Sequence, residues 1–191
     1  MEKKYKNVIN GLCMLASCAM LAACSSSLTY NQALERNIKK AEDSGTHADA
    51  KFLVDAASFN LLATRMAEAA IENGYSNSLV TLAKDNLELH EEMWHDLKKV
   101  ARKEKMVLPA EMNEEHQRRL SQLTGSDRRE FDRTYVRLFR EATEEDIDKF
   151  EEMATAAKSE EVRAFAARKL DVFKSHESRL ETVDADLLKT Y

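Results

Sequence analysis

Residues 127–188 read DRREFDRTYVRLFREATEEDIDKFEEMATAAKSEEVRAFAARKLDVFKSHESRLETVDADLL, and this stretch decides the fold. Phe131, Tyr135, Leu138, Phe139, Ile147, Phe150, Met153 and Ala157 recur three and four residues apart, as one stripe of an α-helix does. Ser159 followed by Glu160 and Glu161 is a start signal, because a hydroxyl caps free backbone N–H groups and acids favour the positive end of a helix dipole. The second arm carries Val162, Phe165, Ala166, Leu170, Phe173, Leu180 and Val183 on a matching stripe. Two long helices folded back on each other each leave an apolar face to cover, so the pair requires further helices.

Those helices lie upstream. Phe52, Ala56, Phe59, Ala63, Met66 and Ala70 form one face of a helix expected near 48–73, with Thr46 and Asp49 as a loose cap and Gly74 as its stop. Leu82, Leu89, Met93, Leu97 and Val100 mark the buried line of another near 79–105, preceded by cap candidates Ser76, Asn77 and Ser78. With four Gly and one Pro, and Gly45, Gly74, Gly125 and Pro109 all between periodic segments, the chain reads as all-α. The stretch between 106 and 126 holds a short amphipathic piece, 111–123, and is long enough to recross a helix of about 40 Å. The helices on either side of it, 79–105 and 127–157, can then run parallel, as in ferritin-like bundles with one long crossover. The expected fold is thus an antiparallel four-helix bundle of the ferritin-like kind, with an extra short helix, over 47–188.

Residues 1–23 read as a lipoprotein signal peptide. Lys3, Lys4 and Lys6 precede an apolar run, Val8 to Met20, too short for a spanning helix of about 20 residues. Leu21-Ala22-Ala23-Cys24 resembles the lipobox of bacterial lipoproteins, which makes Cys24 the lipidation site; cleavage at Cys18 would leave an apolar stub. Residues 24–46 then form a lipidated tether with a weak helical rhythm at Tyr30, Ala33, Leu34, Ile38 and Ala41. Loss of Lys3, Lys4, Lys6 and Glu2 takes the formal charge from −5 to −7, an acidic balance that excludes a nucleic-acid footprint. Cys13 and Cys18 leave with the signal and Cys24 carries lipid, so disulfides and thiolate chemistry are excluded together. The expected address is the bacterial envelope, anchored by lipid to the outer membrane and facing the periplasm.

The strings Phe52-Leu53-Val54-Asp55-Ala56-Ala57-Ser58 with Asn60-Leu61, Val107-Leu108-Pro109, Phe131-Asp132-Arg133-Thr134-Tyr135, and Ala164-Phe165-Ala166 leading to His176 are similar to the bacterial domain-of-unknown-function 4142 family. The resemblance spans about 50–183 and implies a ferritin-like four-helix bundle on a secreted or lipidated envelope protein of undefined biochemical role. It also implies a metal site built from Asp-His pairs and acids. His90 and His176 match that pattern, whereas the second Asp-His pair falls on Ala142-Thr143 and the acids of the first helix fall on Ala63 and Arg65.

Candidate chemistry follows from the inward polar positions. Glu92-Met93-Trp94-His95 has the Glu-x-x-His spacing of di-iron helices, but with Met93 in the core both ends flank it or face away, and there is no second copy. His90 and His176 lie about 60° from the core direction of their helices, and Asp146 about 20° from its own, where a lone acid is costly to bury. Partners for Asp146 are His90, His176, Thr143, Asn86 or a cation. The expectation is a structural polar cluster of His90, Asp146 and His176 with no metal, cofactor or catalytic residue. The function expected is that of a non-enzymatic envelope module, held to the membrane by its lipid and meeting a protein partner there. The alternative is a metal-binding ferritin-like protein in envelope stress or metal handling.

Overall fold

The computed structural model describes residues 27–190, which form six α-helices and no strand. They are α1 (Tyr30–Ala41), α2 (His47–Asn73), α3 (Asn77–Lys103), α4 (Glu114–Thr124), α5 (Phe131–Ala156) and α6 (Glu160–Thr190). The signal peptide over 1–23 and the lipidation of Cys24 lie outside the described residues. None of the described helices is long and apolar enough to cross a membrane.

Four long helices, α2, α3, α5 and α6, share one core. α2 packs on α3 and on α5, and α6 packs on α5 and on α3. Bonds between helix ends set the directions. The N–H groups of Tyr75 and Ser76, entering α3, both donate to Asp132 at the start of α5, at 2.9 and 2.8 Å. At the opposite end, the N–H groups of Lys158 and Ser159, entering α6, donate to Asp49 at the start of α2, at 3.1 and 2.7 Å. α3 and α5 therefore begin at the same end, as the crossover length allows, and every adjacent pair of the four is antiparallel.

The same pattern of bonds occurs twice, 83 residues apart. Asp49 and Asp132 each hold the loop of the other hairpin; Ser76 caps Leu79 N–H at 3.2 Å and Ser159 caps Val162 N–H at 3.3 Å. Gly74 N–H closes on Ala70 C=O and Ala157 N–H on Met153 C=O. No long repeat is legible in the residue types, so the symmetry is one of geometry. It also corrects the reading of Asp49 as a cap for its own helix: Thr46 makes no side-chain cap bond, and the Asp49 carboxylate is spent across the bundle.

Some boundaries move for local reasons. Residues 127–130 form a turn in which Asp127 accepts Arg129 N–H, so α5 starts at Phe131 rather than 127. Asn113 caps His116 N–H at 2.7 Å and starts α4 at Glu114 rather than 111. Lys105 adopts a φ of 55°, a left-handed turn that ends α3 at Lys103.

α2 is the most enclosed helix, because α1 and α4 pack on it as well as α3 and α5. Every residue from Phe52 to Asn60 is buried, not the expected stripe alone. α1 buries Ala33, Asn37 and Ala41; Asn37 pairs with Val107 through both its amide atoms, at 2.8 and 2.9 Å, and ties the loop after α3 to α1. In the core, Phe52, Phe150 and Phe165 meet edge-on or tilted with ring centroids 4.8–6.3 Å apart, and Phe173 continues the line to Phe59 at 5.8 Å. On α3 the expected line shifts: Leu89 is half-buried, and Asn86 and His90 take the inward places.

Candidate functional site

His90 sits at the centre of this aromatic line. Its ring stands edge-on to Phe59 at 5.6 Å and Phe139 at 6.5 Å and stacks on Phe173 at 6.3 Å. The residue is 1% exposed, and its one polar partner is Asn60 of α2, 3.1 Å from Nδ1. Burial, reinforced by the nearby charges of His176 and Lys169, pushes the imidazole down to about 3, so it is neutral at physiological pH. A neutral ring facing the Asn60 carbonyl oxygen donates from Nδ1 and leaves Nε2 as an acceptor.

His176 of α6 repeats this arrangement nearer the surface. Its Nδ1 lies 2.7 Å from Asn86 Oδ1, while Asn86 Nδ2 donates to the Tyr135 hydroxyl at 3.1 Å. The chain His176–Asn86–Tyr135 thus links α6, α3 and α5. His176 is held below the usual histidine range by burial first and the Arg179 charge second; burial holds the Tyr135 phenol above its usual range, so both are neutral.

Asp146 does not join them, and the expected three-residue cluster divides in two. Asp146 bonds neither histidine: Oδ1 receives Lys149 Nζ at 3.3 Å and Oδ2 has no partner. The charges acting on it are Lys149, Asp55 and Glu145, at the seam of α2, α4 and α5. The reason is rotational. Asp146 lies near Asp55 of α2, whereas His90 of α3 turns to Asn60 of α2 and His176 of α6 turns to Asn86 of α3. Burial pushes the carboxyl up to about 7.

The same seam holds residues that sequence reasoning passed over. His116 of α4 is buried, with Nδ1 2.7 Å from Ser58 Oγ, and Ser58 also accepts Asn113 N–H at 2.9 Å. Arg119, also buried, binds Glu115 and Glu145. A signal for His116 was present, since His116, Leu120 and Leu123 share one face of the short helix. Asn60 was likewise detectable as a polar residue on the apolar face of α2.

The metal site that the family resemblance implies can be tested against these side chains. Glu92 and His95 are exposed, outside the core. Ala63 and Thr143 are buried where acids would be needed, and Arg65 is exposed on an ion pair with Glu68. Among the described residues no three His, Cys, Asp or Glu side chains converge to hold an ion. Two imidazoles are on hand, and of the two buried carboxyls of α5 Asp132 is taken by the N–H groups of Tyr75 and Ser76 while Asp146 lies at the other seam; the donor set does not fit a dinuclear carboxylate centre. A surface cleft of about 660 Å³ lies between the starts of α1 and α4, lined by Tyr30, Met112, Glu114 and Arg118 among others.

Fold and interior together define an all-α protein whose four long helices enclose an aromatic core with two separate polar seams. The chain belongs to the family described as Domain of unknown function (DUF4142), which matches residues 35–183. No curated protein and no solved structure matches it.

Proposed function

We propose that this protein is a non-enzymatic lipoprotein of the bacterial envelope, a ferritin-like four-helix bundle tethered through Cys24 that works as a structural or protein-binding module at the outer membrane. The observation that carries the reading is the use already made of the interior polar groups. His90 is bonded to Asn60 and His176 to Asn86, so the residues best placed for chemistry brace helices against one another. The ferritin-like assignment is supported by α3 and α5 starting at one end with α4 between them, and the address by the Leu21-Ala22-Ala23-Cys24 string.

The test follows labelled lipid and membrane partition. The wild type incorporates lipid and sediments with membranes, and Cys24→Ser does neither. A Cys24→Ser protein that still carries lipid refutes the anchor.

One observation favours the metal-binding alternative. Both histidines turn Nδ1 to an asparagine oxygen, the arrangement that leaves Nε2 as a ligand in metal sites. On the structural reading, titration of the folded protein with iron, zinc or manganese gives no submicromolar site. A site lost on both His90→Ala and His176→Ala would put the alternative first.

A further inference from the structure

The first tie between the N-terminal chain and the bundle lies close to Cys24. Leu28 C=O accepts Ala110 N–H at 2.8 Å, and Thr29 caps α1 one residue later. From there α1 is fastened along its length: Tyr30 donates to Asp55 of α2, Asn37 pairs with Val107, and Lys40 donates to Lys105 C=O. Ala33, Asn37 and Ala41 are buried on its inner side. α1 is therefore part of the bundle, and the free tether is only the stretch between Cys24 and Leu28.

Four residue steps span at most about 14 Å when fully extended. Much of that is used within the bilayer, because the headgroup layer of one leaflet is roughly 5–8 Å thick, half the difference between a whole bilayer and its hydrocarbon core. With the acyl chains of Cys24 in the hydrocarbon, Leu28 stays within about 10 Å of the outermost headgroups. A slack tether over 24–46 would instead reach about 25 Å on average and let the bundle turn any side to the membrane.

Packing defines the side that Leu28 brings down. α1 lies on α2 and is tied to the loop after α3, while α4 lies on α2 and α5, so the cleft between their starts opens over α2. α2 and α6 each pack on α3 and α5, which places α6 diagonally across the bundle from α2. With helix axes about 8–10 Å apart, the outer side of α6 is about 20 Å or more from the cleft. α2 and α6 start from the same end, joined by the Asp49 bonds, so Ser58 and Arg168 lie at similar heights, and Ser58 holds Asn113 of the cleft. The cleft rim carries both signs of charge, with Glu111 and Glu114 beside Arg118. It complements headgroups that bear both an ammonium and a phosphate.

We infer that the start of α1, the loop 104–113 and the start of α4 form the membrane-apposed face of this protein, held by the short tether against zwitterionic lipid headgroups, with the outer side of α6 turned away from the bilayer. The inference rests on the lipid anchor at Cys24 proposed above and adds the orientation that α1 imposes on it.

The experiment uses the full lipidated chain in phosphatidylcholine vesicles containing a lipid with a nitroxide on its headgroup. With Cys24 lipidated and Cys13 and Cys18 removed with the signal peptide, an introduced cysteine is the one free thiol. A bimane fluorophore is placed beside the cleft at Asn31→Cys or Glu114→Cys, or on α6 at Arg168→Cys or Ser175→Cys, all of them exposed positions. Quenching is expected to be several-fold stronger at the cleft than on α6. Insertion of about twenty Gly and Ser residues between Ser27 and Leu28 gives a slack reach of about 25 Å, and cleft quenching should then fall to the α6 level. Equal quenching at all positions without the insertion, stronger quenching on α6, or a cleft signal that the insertion leaves unchanged overturns the inference. Vesicle flotation separates the two readings. Chains that neither carry lipid nor float refute the anchor and the orientation with it, whereas lipidated chains that float with equal quenching refute the orientation alone and leave the cleft face open to a protein.

Discussion

Asp49→Ala tests whether the two hairpins are held by their reciprocal acids. Asp49 is 1% exposed and accepts the N–H groups of Lys158 and Ser159 at 3.1 and 2.7 Å. Hydrogen bonds to a charged group contribute about 1.5–3 kcal/mol each, and truncation leaves two amides short of a partner as the chain enters α6. The expected loss is about 3–5 kcal/mol, a large share of the roughly 5–15 kcal/mol of a typical domain. Asp49→Asn keeps one acceptor oxygen but turns an amide nitrogen toward the other N–H, so it recovers about half. Asp132→Ala removes the equivalent bonds to Tyr75 and Ser76 and costs a similar amount. The two sites sit at opposite ends of helices about 40 Å long, so the losses add in the double variant. Urea melts of the four variants against wild type provide the measurement. Single losses below about 1 kcal/mol, or a double variant no worse than either single, would refute the view that these carboxylates fasten the loops.

Further outcomes can be read by similar means. Phe59→Ala opens a cavity beside His90 and Phe173 and costs about 3–5 kcal/mol in denaturant melts, as does Phe139→Ala beside Tyr135. His90 makes stability depend on acidity: its folded value is lowered from 6.5 to about 3, so its contribution is complete above 6.5 and is lost as pH falls toward 3. The loss from this group is about 1.4 kcal/mol per unit, and His90→Gln should flatten the acid limb of stability by one proton when urea melts are compared across that range. Tyr135→Phe removes the acceptor for Asn86 Nδ2 inside the core and is expected to cost about 1–2 kcal/mol, with an unchanged melt counting against the His176–Asn86–Tyr135 chain.

What the sequence determined by itself is what local rules encode. The 3.6-residue rhythm of Phe131 to Val183 requires helices with one buried face, and Ser76 and Ser159 cap N–H groups three residues on, an interaction contained in a single turn. The position of each inward histidine follows from the same rhythm, since an angle around one helix axis depends only on spacing. What lies across that axis does not. Asp49 reads as a cap of its own helix until the loop before α6 is brought beside it, 109 residues away. His90, Asp146 and His176 all point inward, yet a bundle interior has several seams, and which seam a side chain enters depends on the rotation and neighbours of its helix. Tertiary packing alone assigned His90 to Asn60, His176 to Asn86, and Asp146 to the seam it shares with His116. Hydrogen bonds and the energy of a buried charge act over a few ångströms in space, without regard to separation along the chain.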